Sequence, residues 1–222
     1  MRAMAVALFF AAGCLAPVPI PDRPDQPTEG ETPDSLALAA ACLNRGDDAT
    51  AATHLTDYVN HHPDEYMTRA MLAEILYRTN RYPEAREEFE RVVTDAPPAT
   101  GKLRERLIHC HTRLMQIAES SDDPFGEHLH RGIAMILLVQ QWDADPVRRD
   151  EQAAEATLGK AVKALKEAQA DRPTDPRVHL YLSDAYRRFG VASAERAARS
   201  SARNAAPFDL SPDERRRIVE EN

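Results

Sequence analysis

Residues 68–98, TRAMLAEILYRTNRYPEAREEFERVVTDAPP, lie over residues 34–64, DSLALAAACLNRGDDATAATHLTDYVNHHPD, at a shift of 34. Under that shift Leu38 recurs as Leu72, Ala39 as Ala73, Ala51 as Ala85, Leu55 as Phe89 and Pro63 as Pro97. Apolar residues follow a helical spacing and no alternating strand run occurs, so each stretch predicts two helices. Alanine in the middle of each helix lets two antiparallel helices approach closely. The bulky residue four positions after Ala51 or Ala85 lies on the same face and fills the gap beside it. Pro63 and Pro97 remove a helix donor and restrict the residue before them, which separates one hairpin from the next. Gly46 and Asn80 fall at equivalent turns, where a left-handed backbone is expected.

This period and these residue types resemble the tetratricopeptide repeat, whose signature places a tryptophan, leucine, glycine and tyrosine on the first helix, then A-x3-F, then proline. Residues 68–98 match through Leu72-Ala73, Leu76 in the tyrosine slot, Ala85-x3-Phe89 and Pro97, with Arg69 in place of the tryptophan. A third unit keeps register at Cys110, 34 residues after Leu76. It then runs on to about Ser120, before Asp122-Asp123-Pro124 starts a second long helix. A further helix carries Ala161, Leu165 and Ala168 and ends before Pro173. The last pair reads Leu182-x3-Tyr186, Gly190, Ala194-x3-Ala198 and Pro207. Asp175-Pro176 and Ser211-Pro212-Asp213-Glu214 are helix starts, with a cap, proline in the first turn and acids at the positive end. The resemblance implies an all-α fold, a right-handed superhelical α-solenoid closed by a polar C-terminal helix at 211–220.

The composition agrees with that class. The chain has 222 residues, 43% of them apolar and 29% charged, enough for a packed core. Aromatics at 6% and eight glycines argue against a β-sandwich or barrel. Lys and Arg number 28 against 36 Asp and Glu, a net charge of −8 that excludes a global nucleic-acid footprint. Sixteen prolines then divide into two groups. Ten sit at predicted helix boundaries, and six (Pro17, Pro19, Pro21, Pro24, Pro27, Pro33) fall within residues 15–33. Such a segment cannot bury enough apolar surface to fold and favours an extended chain of about 3.1 Å per residue.

Ahead of it, Met1-Arg2 and the apolar run 3–12 read as a secretory signal, because ten apolar residues fall short of the roughly 20 that span a bilayer. Ala11-Ala12-Gly13-Cys14 resembles the lipobox of bacterial lipoproteins, with Ala11 where leucine is usual. That resemblance implies a lipid on Cys14, residues 15–33 as a tether, and a location in the cell envelope on the periplasmic side of a membrane. The expected organisation is a signal at 1–14, the tether at 15–33, two repeats at 34–98, an enlarged hairpin at 99–147, and a further helix, last pair and cap at 148–221. Cys42 and Cys110 share a slot two units apart, too far for a disulfide, and read as buried thiols.

No phosphate loop, nucleophile elbow, HExxH or CxxC occurs. His109 and His111, with His128 and His130, fall on the two helices of the third unit, but residues two apart on a helix point about 200° apart. Each pair therefore offers at most one inward ligand, and hydrogen-bonded or surface histidines are expected. Arg215-Arg216-Arg217, flanked by acids, reads as a solvated face. Leu137-Leu138-Val139 with Trp142 reads as core. In the tetratricopeptide family the first helices line a groove that receives a peptide or a partner's helix. The corresponding positions here are Asn44, Glu74, Tyr77, Arg78, Arg104, His111, Asp184, Arg187 and Arg188. The resulting expectation is a non-catalytic, membrane-tethered scaffold that binds a protein partner, without cofactor or nucleic acid. The alternatives are a small-ligand or metal-binding module in the His-rich third unit and a self-assembling structural protein.

Overall fold

The computed structural model describes residues 34–145, 147, 150–205 and 210–220. The predicted signal, Cys14 and the proline-rich tether lie outside the described residues. Asp34 opens the compact unit that holds all the described residues.

Ten helices and no strand occur among the described residues. They are α1 (Ser35–Asn44), α2 (Asp48–His61), α3 (Tyr66–Arg78), α4 (Tyr82–Asp95) and α5 (Gly101–Ser120), then α6 (Pro124–Asp143), α7 (Glu151–Asp171), α8 (Pro176–Arg188), α9 (Ala192–Asn204) and α10 (Pro212–Glu220). Neighbouring helices pack as hairpins, α1 with α2, α3 with α4, and α8 with α9. The repeat positions do the packing. Ala39, Ala73, Ala51, Ala85, Leu55 and Phe89 are all at 0% exposure. The fold is thus an all-α array of helical hairpins of the tetratricopeptide kind.

The hairpin turns share one geometry. Gly46, Asn80 and Gly190 have φ of 75°, 60° and 71°. In each turn the amide just after the left-handed residue reaches back to a carbonyl in the last helical turn and closes a Schellman motif: Asp47 to Cys42, Arg81 to Leu76 and Val191 to Tyr186. Asp122 takes the same left-handed role at φ 58°, and Asp123 N–H bonds the Ala118 carbonyl. The next helix is started by a carboxylate cap, Asp47 on Thr50 N–H and Asp123 on Gly126 N–H.

The centre departs from the repeat. Helices α5, α6 and α7 have 20, 20 and 21 residues, against 13 and 14 for α3 and α4. The sequence separates a hairpin at 99–147 from the helix after it, whereas in the structure α6 packs along both α5 and α7. The close approach to α7 depends on Gly132: a Cβ there would come within 2.6 Å of Leu165 Cγ. With α6 covered on two sides, Ile133, Ile136, Leu137 and Val139 are buried, while Leu138 and Trp142 are half-buried. The stripe read as core is thus packed within the chain at Leu137 and Val139 and partly so at Leu138 and Trp142.

One continuous core runs from α1 to α9, and a small second cluster joins Leu180, Ala202 and Ile218 at α10. Cys42 and Cys110 are free and buried, and burial pushes the Cys110 thiol up to about 12. No described helix is long and apolar enough to cross a membrane.

Candidate functional site

The nine positions marked by the repeat register do not form one surface. Asn44 is exposed at the end of α1. Arg78 is exposed on α3 and bonds Asp48 at 2.7 Å. Glu74 faces α5, where His109 Nε2 lies 2.8 Å from Oε2 and Arg113 donates to both oxygens at 3.0 and 2.7 Å. Burial acts to raise the Glu74 carboxyl, but the hydrogen bonds and charges of His109 and Arg113 prevail and hold it at about 2. Tyr77 donates to Gln116 at 3.2 Å and lies under the Arg113 guanidinium, 4.3 Å from its ring centre. Glu74 and Tyr77 thus tie α3 to α5. Arg104 is also engaged inside the chain, donating to the carbonyls of Ala99 and Gln140.

The other four come together. His111, Asp184, Arg187 and Arg188 line a cavity of 540 Å³ bounded by α4, α5, α6, α8 and α10. Its apolar wall comes from Val93, Pro98, Leu107, Leu137 and Tyr181. Asp184 accepts from Arg187 at 2.5 Å and from Arg217 of α10. Arg188 forks onto Asp143 at 3.0 and 3.2 Å and reaches Glu151 at 2.9 Å. Arg217 is therefore not part of a solvated basic face: its side chain is 18% exposed and its guanidinium lies 5.2 Å from the Tyr181 ring. Tyr181, Arg217 and the wall from Pro98 are invisible to a repeat register, because they come from the interior face of α8, from beyond the last repeat and from a connector.

A second, more polar cavity of 620 Å³ shares Val93 with the first and is lined by His130, Arg86, Arg172, Arg177, Asp123 and Phe125, among others. Arg172 lies over the Phe125 ring at 4.0 Å. Between the cavities His111 and His130 meet, with their Nδ1 atoms 3.0 Å apart.

The four histidines of the third unit serve three separate contacts. His109 turns to Glu74, His111 and His130 to each other, and His128 to Glu167 and Asp171 of α7 at 3.6 and 3.7 Å. Among the described residues no group of three or more His, Cys, Asp or Glu is placed to hold a metal ion. Among the same residues the two cysteines are buried, and Ser183 Oγ is enclosed with no partner.

No family model matches the chain, and no curated protein matches it either. Among solved structures it is similar to a thermophilic TPR protein of Thermus thermophilus, with 16% identity, coverage of 84% of this chain and 78% of that one, and a TM-score of 0.42. It is also similar to MamA from Desulfovibrio magneticus, at 18% identity, 75% and 88% coverage and a TM-score of 0.32. A third is the assembly chaperone of RpL4, Acl4, at 15% identity, 84% and 81% coverage and a TM-score of 0.36. The class rests on the chain's own 34-residue hairpins: it is an all-helical repeat protein.

Proposed function

We propose that the chain is a non-catalytic adaptor that seats a segment of a partner protein in the 540 Å³ cavity, and that lipid on Cys14 with the 15–33 tether holds it at a membrane on the periplasmic side of the cell envelope. The observation that carries the reading is the composition of that cavity. An apolar wall from four helices faces Arg187 and Arg188, whose guanidiniums are already ion-paired within the chain and would exchange those carboxylates for a partner's on docking. Apolar anchorage with a few directional polar groups suits a peptide or helix, and the cavity brings together no catalytic set.

The site is therefore narrower than the register implies: His111, Asp184, Arg187 and Arg188 belong to it, and Asn44, Glu74, Tyr77, Arg78 and Arg104 do not. Crosslinked partners would be recovered from membranes for wild type, Arg187→Glu and Arg78→Glu, and identified by mass spectrometry. Loss of the same partners from Arg187→Glu alone is expected; equal recovery from all three removes the cavity as the docking site. Intact mass of the membrane-extracted protein tests the anchor separately. A chain beginning at Cys14 with added acyl mass is expected, and a mature chain without acyl mass overturns it.

A further inference from the structure

We propose that the His111–His130 pair is a proton-operated latch between the two cavities, and that uptake of two protons separates α5 from α6 and joins the cavities. His111 lies on α5 and borders the 540 Å³ cavity, while His130 lies on α6 and borders the 620 Å³ cavity. The two rings are 6% and 8% exposed at residue level, with centres 5.3 Å apart, and their Nδ1···Nδ1 contact of 3.0 Å is a hydrogen bond across the helix seam.

At that distance one Nδ1 carries the proton and the other accepts it, so a neutral Nδ1–H ring faces a neutral Nε2–H ring. In the closed seam a first proton has only the free Nε2 of the donating ring to occupy, which would keep the bond but place a buried cation near Arg177. The second has only the accepting Nδ1 to occupy. Two N–H groups, each on a cation, then point at one another, the hydrogen bond is gone, and two like charges share a poorly solvated space.

The surroundings add to the opposition. Arg177 of α8 and Arg86 of α4 both face the pair as cations. Their carboxylates are already committed, Asp175 to Arg177, and Glu90 and Asp123 to Arg86. From α3, Glu74 is held by His109 and Arg113, and from α7, Glu167 and Asp171 face His128. On the first cavity's side Asp184 is taken by Arg187 and Arg217. Burial and then Arg177 hold His111 at about 3, and burial, His111, Arg177 and Arg86 hold His130 well below the ordinary imidazole range.

The closed state therefore binds fewer protons than an opened one whose rings titrate near 6.5, so acid favours opening. Below about pH 6.5 the opened fraction rises up to about 100-fold per pH unit for two protons and about 10-fold for one. An opened seam would let the docking site proposed above take a larger partner segment. That consequence depends on the docking reading, but the latch itself does not, so the experiment uses no partner and its failure leaves the docking site standing.

Hydrogen exchange of the full chain between pH 7 and 4.5, corrected for intrinsic rates, reads the opening directly. Amides of α5 at 107–114 and of α6 at 129–136 should lose protection with a slope near two protons, while those of α3 and α4 hold. His111→Asn and His130→Asn keep a side-chain hydrogen-bonding group without the charge change; each should reduce the slope to about one, and the double variant to about zero. Ring-nitrogen NMR of the wild type decides the matter if a variant does not fold: both rings should stay neutral until the seam exchanges. Loss of protection in all helices together, an unchanged slope in the double variant, or a ring titrating near 6.5 with α5 and α6 still protected overturns the latch.

Discussion

At position 74 the repeat register turns a carboxylate toward the groove, and the next unit claims it. Arg113 forks onto Glu74 and His109 completes the set, so the side chain links α3 to α5 and is not free for a partner. Arg69 behaves alike in the slot where the family carries tryptophan: it is 7% exposed, donates to Glu88 at 2.6 Å and to the Val59 carbonyl at 3.3 Å. Both side chains make a charge-assisted bridge between helices, and Arg69 does so in a slot the family fills with an apolar ring. Glu74 has the measurable consequence. Its folded value near 2 lies below the ordinary carboxyl near 4.3, so its stabilisation is present above about pH 4.3 and disappears as pH falls through 2. Glu74→Gln should therefore cost about 2 kcal/mol at pH 7, after allowance for solvent screening of a part-exposed group. Denaturant unfolding at pH 7 and pH 3 checks this. The difference between variant and wild type should shrink at the lower pH, and a difference that grows in acid rules out the ionised bridge.

At the scale of the element, glycine has opposite meanings in a turn and in a helix. Gly46 and Gly159 both have open space where a Cβ would stand, so sterics beyond the backbone do not distinguish them. Gly46 has φ 75° in the α1–α2 turn, where an L side chain is strained; Gly159 lies exposed within α7. Gly46→Ala should destabilise by about 1 kcal/mol and Gly159→Ala should stabilise by about 1 kcal/mol. Equal signs in thermal unfolding of the two variants refute the assignment. The hairpins were legible because a tight turn needs a residue tolerant of the left-handed region, and Gly46, Asn80 and Gly190 stand 34 apart or at the matching place of the last pair. Asp122 in the same conformation was not legible, since nothing marks it as a turn former in sequence more than its neighbour Asp123. The double packing of α6 was also hidden, because α5, α6 and α7 break the period and no repeat position says which faces meet. Register marks a face of a helix but not what crosses to it, which is why His111, Asp184, Arg187 and Arg188 share a cavity and Glu74, Tyr77 and Arg104 do not.

At the scale of the whole compact unit, the cavity depends on its last helix. Among the described residues α10 adds only Ile218, with Leu210 ahead of it, to the apolar packing, in the small cluster with Leu180 and Ala202. Its other attachments are polar: Ser211 and Glu214 form a reciprocal capping box, Arg203 Nε donates to the Ile218 carbonyl at 3.0 Å, and Arg217 reaches Asp184 and the Tyr181 ring. A nine-residue helix is not stable alone in water, so these contacts decide whether it stays. Asp184→Ala removes the carboxylate that Arg217 reaches across the cavity and leaves that guanidinium with Asp213 at 3.5 Å. The cost should be about 2 kcal/mol, and because α10 holds to the rest chiefly through α8 and α9, it should fall on α10 rather than on the array. Amides of α10 should then exchange about 30-fold faster while those of α3 to α6 are unchanged. Arg217→Met, which keeps an unbranched side chain of similar length without the charge, should give a smaller release. Uniform loss of protection across all helices in Asp184→Ala would instead place that ion pair in the global stability of the chain and deny α10 its role as a separate wall of the cavity.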